Sequence, residues 1–343
     1  MELRRRVTQA LRRSQKKEMR TAVVFPGQGV QKLGMGNTVG SDFIDNVLSD
    51  VQAVIGPRLA SRLRYLISLD PNGFSGEERI IFEEELNETS MTQLAIFSVS
   101  AAASDAYFEK AQTLPSVVWG HSIGEFAAVY ASGIMKRKDV IWLVYQRGER
   151  MSLCCPKDPV TNEYRFGMMW VIGEIDEKKI ESCLKRTRVK IANFNTPKQV
   201  VISGEREELK RVSLKLRKEG YKTGFVKRVA GAFHHPDYMA QVRTELETVL
   251  SPSNRIRKIE IREPAIPIIF NYSGDFEKDP NRIRTYLKEQ VANTVRCRQA
   301  FERFIEEGIQ KENIIELGGN VLTGMLADFP GFRQSGEESE SLK

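Results

Sequence analysis

The sequence predicts an α/β protein in which a small subdomain interrupts a larger, mostly parallel sheet. Over residues 21–154, short apolar segments that end in glycine-rich turns alternate with helical patterns, as strands and helices do in a parallel sheet. From Phe166 the order becomes β-α-β-β-α-β, which is the ferredoxin-like arrangement. After residue 229 the first style returns, so the ferredoxin-like part is predicted to be an insertion.

The large subdomain is predicted at residues 21–154 and 229–333. Its first half should hold a buried strand at TAVVF (21–25) ended by the turn PGQG, a helix from Met91, a strand at PSVVWG, a turn at GHSIG and a helix at EFAAVYASGIM. Its second half should hold a helix near 235–250, a strand at IPIIFNYSG, one helix over about 281–307, a strand at NIIELG and a last helix from Asn320.

The small subdomain is predicted at residues 155–228. Its strands are expected at FGMMWVIG, VKIANFN, QVVISG and TGFVKRV, and its two helices at EKKIESCLKR and EELKRVSLKLRKEG. Both helical segments have apolar residues at helical spacing, and the strand segments are rich in β-branched and aromatic residues.

The net charge of +7 is concentrated at the N-terminus. Residues 1–20 carry +6 and the tail 334–343 carries −2, which leaves only +3 on residues 21–333. A basic nucleic-acid groove therefore has little support, and we expect no nucleic-acid partner. The longest nearly apolar run, 94–103, is shorter than the ~18 residues of a membrane span, so no membrane partner is expected either.

The two ends of the chain have biased compositions. In MELRRRVTQALRRSQKKEMR, residues 1–20, apolar residues recur near helical spacing among eight arginines and lysines, which resembles an organellar import segment. A disordered basic arm is the alternative reading. The acidic, serine-containing tail 334–343 is predicted to be disordered.

The four cysteines do not indicate a metal site. Cys154, Cys155, Cys183 and Cys297 show no C-x-x-C spacing, and the chain has only three histidines. We therefore expect reduced, structural thiols and no bound metal.

The candidate nucleophile is Ser122, in the sequence VVWGHSIGEFAAVY. G-x-S-x-G is a nucleophile elbow when it joins a strand to a helix, and both flanks have the expected pattern here. The glycines permit a strained turn that exposes the hydroxyl. A parallel sheet that carries such an elbow makes the large subdomain hydrolase-like. An ordinary turn serine is the alternative.

A serine hydroxyl needs a neighbouring base. His121 adjoins the serine, but the sharp turn should direct its side chain elsewhere, so we read it as structural. His234 and His235, in GAFHHPDYM, occupy a loop that can return to the carboxyl edge of the sheet. One of these two is the expected base, and the residues alone do not decide between them.

A tetrahedral oxyanion needs two donors placed in advance, usually backbone N–H groups. Ile123, the residue after the nucleophile, can supply one. Gln28 can supply the other, since it lies between Gly27 and Gly29 at the end of another strand.

Arg147 lies on the apolar face of a predicted helix. In KDVIWLVYQRGERM the apolar stripe contains Val140, Leu143, Val144 and Met151, and Arg147 falls near its middle. Arginine is rarely buried unpaired, so it either meets an internal carboxylate or faces a cavity and binds an anionic ligand. The second reading suggests an acyl substrate that ends in a carboxylate.

Seven motifs occur in the order and spacing of one family. FPGQG (25–29), GHSIGE (120–125), QRGERM (146–151), NTPKQVVISG (195–204), GAFHH (231–235), LKEQVANTVR (287–296) and ELGGNVLTGML (316–326) resemble the malonyl-CoA:acyl carrier protein transacylases. The resemblance covers about residues 21–330. Together with the basic N-terminal segment, the chain looks like the mitochondrial type of this family, located in the matrix.

The resemblance implies a role for each matching residue. It implies Ser122 as nucleophile, His234 as base, and the amides of Gln28 and Ile123 as the oxyanion hole. Arg147 would bind the malonyl carboxylate, and the main-chain carbonyl of Gln290 would orient the histidine.

The resemblance also bears on substrate selectivity. In related acyltransferases, a phenylalanine directly before the histidine, here Phe233, occurs in enzymes that use malonyl rather than α-methylated substrates. The sequence departs from the family pattern at His235, Thr294, Cys297 and Gly319-Asn320.

The resemblance also implies the reaction and its participants. Malonyl would pass from malonyl-CoA to the phosphopantetheine thiol of acyl carrier protein through a malonyl-serine, for fatty acid synthesis, without a cofactor and with a monomer as the enzyme. Two alternatives stay open: a serine hydrolase or thioesterase acting on acidic acyl thioesters, and a non-catalytic carrier-protein-binding module.

Overall fold

The computed structural model describes residues 20–111 and 113–332. The predicted import segment, apart from Arg20, and the predicted disordered tail 334–343 lie outside these residues. No helix within the described ranges has both the length and the apolar content of a membrane span.

The centre of the large subdomain is a parallel sheet with strand order β2-β1-β7. Its strands are β1 (Ala22–Phe25), β2 (Val117–Gly120) and β7 (Ile314–Glu316). Every residue of β1 and β2 is buried, as the uninterrupted apolar sequence of these strands requires. Phe25 pairs with Gly120, so the turns that follow β1 and β2 lie side by side at the carboxyl edge of the sheet.

Helices cover this sheet and form the main apolar core with it. The longest, α4 (Thr89–Lys110), has fourteen buried residues and packs closely against α6 (Arg137–Leu153). The helices are α1 (Ser41–Ile55), α2 (Pro57–Ser68), α3 (Gly76–Asn87), α4 (Thr89–Lys110), α5 (Gly124–Ala131), α6 (Arg137–Leu153), α7 (Glu177–Leu184), α8 (Arg206–Lys218), α9 (Ala240–Leu250), α10 (Pro280–Glu289), α11 (Cys297–Glu306) and α12 (Leu322–Met325).

The small subdomain has the predicted ferredoxin-like topology. Its antiparallel sheet has the order β4-β5-β3-β6, formed by β3 (Phe166–Ile172), β4 (Lys190–Thr196), β5 (Gln199–Glu205) and β6 (Lys222–Phe225). Helices α7 and α8 pack on this sheet around a separate apolar cluster. The predicted fold class is therefore confirmed, and all four strands lie within the predicted range 155–228.

Two predicted elements of the second half are different in the structure. The segment IPIIFNYSG is not a full strand, since it pairs with β2 only at Ile268. Pro267 has no N–H to donate, and the amide of Asn271 binds the side chain of Glu125 and not a neighbouring strand. The C-terminal helix from Asn320 is likewise short, because α12 ends at Met325.

The single helix predicted over about 281–307 is two helices, α10 and α11. Between them the chain makes a turn over residues 290–293 and is then extended beside β4 around Val295: the Val295 amide donates to the Ala192 carbonyl (2.9 Å), and the Phe194 amide donates to the Val295 carbonyl (3.0 Å). This extended segment links the two subdomains. Because α10 ends at Glu289, the carbonyl of Gln290 is not used by a following helical turn.

Candidate active site

Ser122 lies in a tight turn between β2 and α5. Its φ is +51°, in the left-handed region that costs a non-glycine residue about 1–3 kcal/mol. Two glycines make the turn possible, since a Cβ at Gly120 would overlap the carbonyl of Gly124, and a Cβ at Gly124 would overlap the carbonyl of Phe25. The predicted elbow thus has the strained geometry that its sequence requires.

His234 lies beside the serine. The distance from Ser122 Oγ to His234 Nε2 is 2.7 Å, and His234 Nδ1 lies 2.7 Å from the main-chain oxygen of Gln290. A carbonyl only accepts hydrogen bonds, so Nδ1 carries the proton and Nε2 is free to accept the serine proton. The gap between α10 and α11 is what makes this carbonyl available.

The site keeps His234 uncharged. The ring is buried, and burial lowers the pKa of His234 to about 3, with the positive charge of Arg147 acting in the same direction. The hydrogen bond to the Gln290 carbonyl opposes this effect only in part. His234 is therefore a neutral acceptor over the ordinary pH range.

The other two histidines have structural partners. His235 Nδ1 accepts hydrogen bonds from the amides of Asp237 (3.2 Å) and Tyr238 (3.4 Å), and its Nε2 donates to the Arg188 carbonyl (2.5 Å). This geometry places His234, and not His235, beside the serine. His121 directs its ring away from Ser122, with Nε2 3.1 Å from both Asn195 Oδ1 and Asn193 Nδ2.

The two predicted oxyanion donors lie at adjacent turns. Within the described residues, neither the Ile123 amide nor the Gln28 amide has a hydrogen-bond acceptor. The Ser122 carbonyl accepts from the Glu125 amide (3.1 Å), and in a trans peptide the Ile123 N–H therefore points away from α5. Both amides are thus available to a ligand, as an oxyanion hole requires.

Arg147 is buried behind the histidine, with 1 % of its surface exposed. Its Nη2 donates to Gln290 Oε1 (3.4 Å), and its guanidinium carbon lies 5.5 Å from the centre of the Phe126 ring. No carboxylate of the described residues forms an ion pair with it, and its Nε has no partner there. Burial lowers its pKa to about 10, while the charge of Glu125 opposes that shift.

This environment differs from both sequence-based readings of Arg147. The side chain is not among those that line the cavity described below; it contacts Gln290 and Phe126 instead, and it interacts with an internal carboxylate only at longer range. It remains a buried cation close to His234, whose pKa it lowers.

Glu125 and Asn271 also belong to the site, although the sequence did not single them out. Glu125 is fully buried and accepts hydrogen bonds from both the amide (2.6 Å) and the side chain of Asn271. Burial raises the pKa of Glu125 to about 7. Glu125 lies inside the elbow motif, and Asn271 ends a predicted strand, so only their place at the same sheet edge could have indicated them.

A cavity of about 260 Å³ lies in front of Ser122 and His234. Both subdomains line it, so it marks the cleft between them. The large subdomain contributes Gln28, His121, Met151, Phe233 and Met325, and the small subdomain contributes Met168, Trp170, Asn193, Asn195 and Val201, among others. A mostly apolar cleft with a few polar groups suits the arm of a thioester.

The hydrolase-like sheet, the strained serine turn and the serine–histidine–carbonyl line define an α/β protein built for acyl chemistry on a serine. The acyl transferase domain family matches residues 22–317. The chain belongs to this family and is an acyltransferase.

Two curated relatives illustrate the range of the similarity. The chain is 29 % identical over 320 residues to the malonyl CoA-acyl carrier protein transacylase of Haemophilus influenzae, covering 92 % of this chain and 93 % of that protein. It is 31 % identical over 309 residues to the polyketide biosynthesis protein ThaF of Burkholderia thailandensis, covering 89 % of this chain and 24 % of that protein. The chain thus spans about a quarter of the second relative.

Solved structures have the same architecture. An acyl carrier protein S-malonyltransferase from Vibrio cholerae superposes with a TM-score of 0.73 at 27 % identity, covering 90 % of this chain and 92 % of that one. A malonyl-transacylase in complex with its type II PKS acyl-carrier protein gives a TM-score of 0.75 at 28 % identity, with the same coverage.

Proposed function

We propose that this acyltransferase moves the malonyl group of malonyl-CoA to the phosphopantetheine thiol of an acyl carrier protein, for fatty acid synthesis. The observation that carries the proposal is the line from Ser122 Oγ through His234 to the Gln290 carbonyl, with 2.7 Å at each step, in a chain of the acyl transferase family. The malonyl-transferring relatives support the choice of acyl group and acceptor.

In the first half-reaction Ser122 attacks the thioester carbonyl. Its Oγ–H proton passes to His234 Nε2 while the new C–O bond forms, and the carbonyl electrons move to oxygen. The amides of Gln28 and Ile123 would stabilise that oxyanion. When the intermediate collapses, the C–S bond breaks, the CoA sulfur takes the proton from His234, and a malonyl-Ser122 ester remains.

In the second half-reaction the carrier thiol takes the place of CoA. His234 accepts the thiol proton, the sulfur attacks the ester, and Ser122 leaves with that proton. The same groups act in reverse order, so no cofactor enters the chemistry. Because the intended acceptor is a thiol and not water, the cleft must disfavour hydrolysis of the ester.

Two buried side chains are proposed to select the malonyl group. Arg147 has no ion pair among the described residues, and a carboxylate is the ligand that a guanidinium binds bidentately. Gln290 and Phe126, which contact the guanidinium, would have to make room for that carboxylate. Phe233 lines the cavity next to His234 and is 3 % exposed, which leaves little space for a substituent on the α-carbon.

Intact-mass spectrometry tests the proposal directly. Incubation with malonyl-CoA should add one malonyl group, which is absent in Ser122→Ala and is removed by holo acyl carrier protein. Release of malonate at the full rate without carrier protein would instead identify a hydrolase, and the absence of any adduct would identify a non-catalytic module.

We also propose that the chain works in the mitochondrial matrix. The support is the excess of basic over acidic residues in residues 1–20, which lie almost entirely outside the described part of the structure. Import of a fusion that carries these twenty residues tests the proposal, and a cytosolic fusion would contradict it.

We propose a monomer as the working unit. One chain supplies Ser122, His234, Gln28 and Arg147, so the site does not require a second copy. Sedimentation equilibrium should give the mass of one chain, and a stable dimer at micromolar concentration would overturn this assignment.

A further inference from the structure

Asn271 makes three hydrogen bonds that hold the serine turn. Its Oδ1 accepts from the backbone amide of Ser122 (2.9 Å), and its Nδ2 donates both to the carbonyl of Gly120 (2.7 Å) and to the carboxylate of Glu125. The side chain is fully buried, as is that of Glu125. A fixed donor and a fixed acceptor therefore contact the two backbone peptides that flank His121, directly before Ser122.

Glu125 determines which way the Asn271 amide points. The Oε2 atom of Glu125 accepts from both the backbone N–H and Nδ2 of Asn271, so the amide nitrogen must face Glu125 and the amide oxygen must face Ser122. Reversing the amide would place two acceptors against each other. The carboxylate thus sets the polarity of the contact to the nucleophile although it does not touch the nucleophile.

The contact acts at the strained point of the chain. The left-handed conformation of Ser122 persists only if the surroundings enforce it. The peptide before Ser122 is held by Asn271 and by the bond from the Gly124 amide to the His121 carbonyl (2.9 Å), and the peptide after it is held by the Glu125 amide. These contacts orient both Oγ and the Ile123 amide.

We propose that Asn271 and Glu125 are a buried positioning pair that holds the Ser122 backbone in the conformation needed for nucleophilic attack and oxyanion binding. The proposal rests on the role of Ser122 as the nucleophile. It gives Glu125 a function apart from substrate binding, and it explains why the segment after Phe270 leaves the sheet.

The pair predicts a specific loss in single variants. In Asn271→Ala the rate of malonyl-Ser122 formation at saturating malonyl-CoA should fall at least 100-fold, because Ser122 loses its restraint. KM should change less than threefold, because Arg147 and the cleft residues are unchanged. The rate of malonyl-Ser122 formation should fall less in Glu125→Gln than in Glu125→Ala, since the glutamine oxygen still accepts from Asn271.

The matched control is Asn281→Ala, which changes an exposed asparagine in the first turn of α10. This variant should form malonyl-Ser122 at the wild-type rate.

A swapped pair separates positioning from general stability. Asn271→Asp alone places two carboxylates together and should be at least as slow as Asn271→Ala. Adding Glu125→Gln restores one donor facing one acceptor between the two side chains, with the Ser122 amide still bound to residue 271; the Gly120 carbonyl lacks its donor in the single and the double variant alike. The double variant should form malonyl-Ser122 at least tenfold faster than Asn271→Asp does. If the losses of the two single variants simply add in activation free energy, the proposal is overturned.

A fluorophosphonate probe makes the test independent of the acyl donor. Its rate of reaction with Ser122 should follow the same order among the variants, measured well below each melting temperature. If the wild type reacts with the probe but not with malonyl-CoA, the proposed function fails and the positioning pair stands. If Asn271→Ala reacts with the probe at the wild-type rate, the pair is refuted.

Discussion

At the scale of single residues, the site contains a buried positive charge, Arg147, that no negative charge in the described part of the chain neutralises directly. Arg147 has no ion pair among the described residues, and the nearest negative charge that affects it is Glu125. Since a buried charge without a partner is costly, a ligand carboxylate that reached Arg147 would gain a strong partner.

Arg147→Ala should therefore reduce malonyl transfer more than acetyl transfer. Loss of about 3 kcal/mol of buried charge pairing corresponds to a decrease of about 100-fold in kcat/KM for malonyl-CoA, whereas acetyl-CoA lacks the carboxylate and should lose less than tenfold. The control is Arg150→Ala on the same helix, where the guanidinium pairs with Glu245 at 2.8 Å. Equal losses for both acyl groups would contradict the carboxylate role.

The low pKa of His234 predicts an unusual pH profile. The neutral ring is the active form, and a pKa of about 3 keeps it neutral at pH 5, where a free histidine with a pKa of about 6.5 would be about 3 % neutral. Glu125 takes up a proton over the same range, but with the proton on its unpartnered Oε1 its Oε2 still accepts from Asn271. Acylation by malonyl-CoA should therefore fall less than twofold between pH 7 and pH 5. An inflection near pH 6.5 in rapid-quench measurements of kcat/KM that persists in Glu125→Gln would show that the ring titrates normally, since Glu125 itself titrates near pH 7 in the wild type.

At the scale of elements, one buried glutamine connects the loops that carry the two halves of the site. Gln31 Oε1 accepts from the Gly29 amide (2.7 Å), and its Nε2 donates to Asn87 Oδ1 (2.9 Å) and to the Arg228 carbonyl (3.3 Å). The guanidinium of Arg228 in turn donates a hydrogen bond to the Gln31 carbonyl (3.0 Å). The turn with Gln28 is thereby joined to the loop that leads to His234.

Gln31→Ala should weaken both folding and catalysis. It leaves the Gly29 amide, the Asn87 side chain and the Arg228 carbonyl without this partner. Because these groups are only partly buried and water can reach them, we expect a loss of about 1–2 kcal/mol in the free energy of unfolding and a slower acylation step. Urea unfolding and the acylation rate measure the two effects. The exposed Gln52→Ala serves as control. A stability loss without any change in acylation would show that this link does not orient the oxyanion donor.

The same scale shows what the sequence could and could not predict. Ser122, Ile123 and Gln28 were predictable because strand, turn and helix signals around them are local, and the parallel sheet brings the two turns together. The break after Gln290 was not predicted, since it depends on pairing with β4, about a hundred residues earlier in the chain. The contact of Asn271 with Ser122 spans 149 residues and likewise left no local signal.

At the scale of the whole molecule, two buried groups make the free energy of unfolding depend on pH in opposite directions. Glu125 has a folded pKa of about 7, above its usual 4.5, so it binds a proton more tightly when folded. Its contribution is complete below pH 4.5 and is lost as the pH rises through 7, about 3 kcal/mol in all. His234, with its lowered pKa, contributes stability above pH 6.5 that is lost as the pH falls towards 3.

Glu125→Gln isolates one of these contributions. The wild type and the variant share the histidine effect, so the difference between their unfolding free energies should change by about 2.5 kcal/mol from pH 5 to pH 8, with the variant gaining relative to the wild type. Denaturant titrations at four pH values measure this change. A constant difference across the range would mean that Glu125 does not titrate there.

The extended stretch between α10 and α11 has a consequence for how the two subdomains cooperate. Thr294 and Val295, which bind β4, follow the carbonyl that fixes the imidazole proton by only four and five residues. A small rotation of the small subdomain relative to the large one would therefore reach the His234 ring through only a few peptide bonds. A bound partner that opens the cleft would also disturb the hydrogen bond between the Gln290 carbonyl and His234. The open form would then have a poorly oriented base and would be inactive.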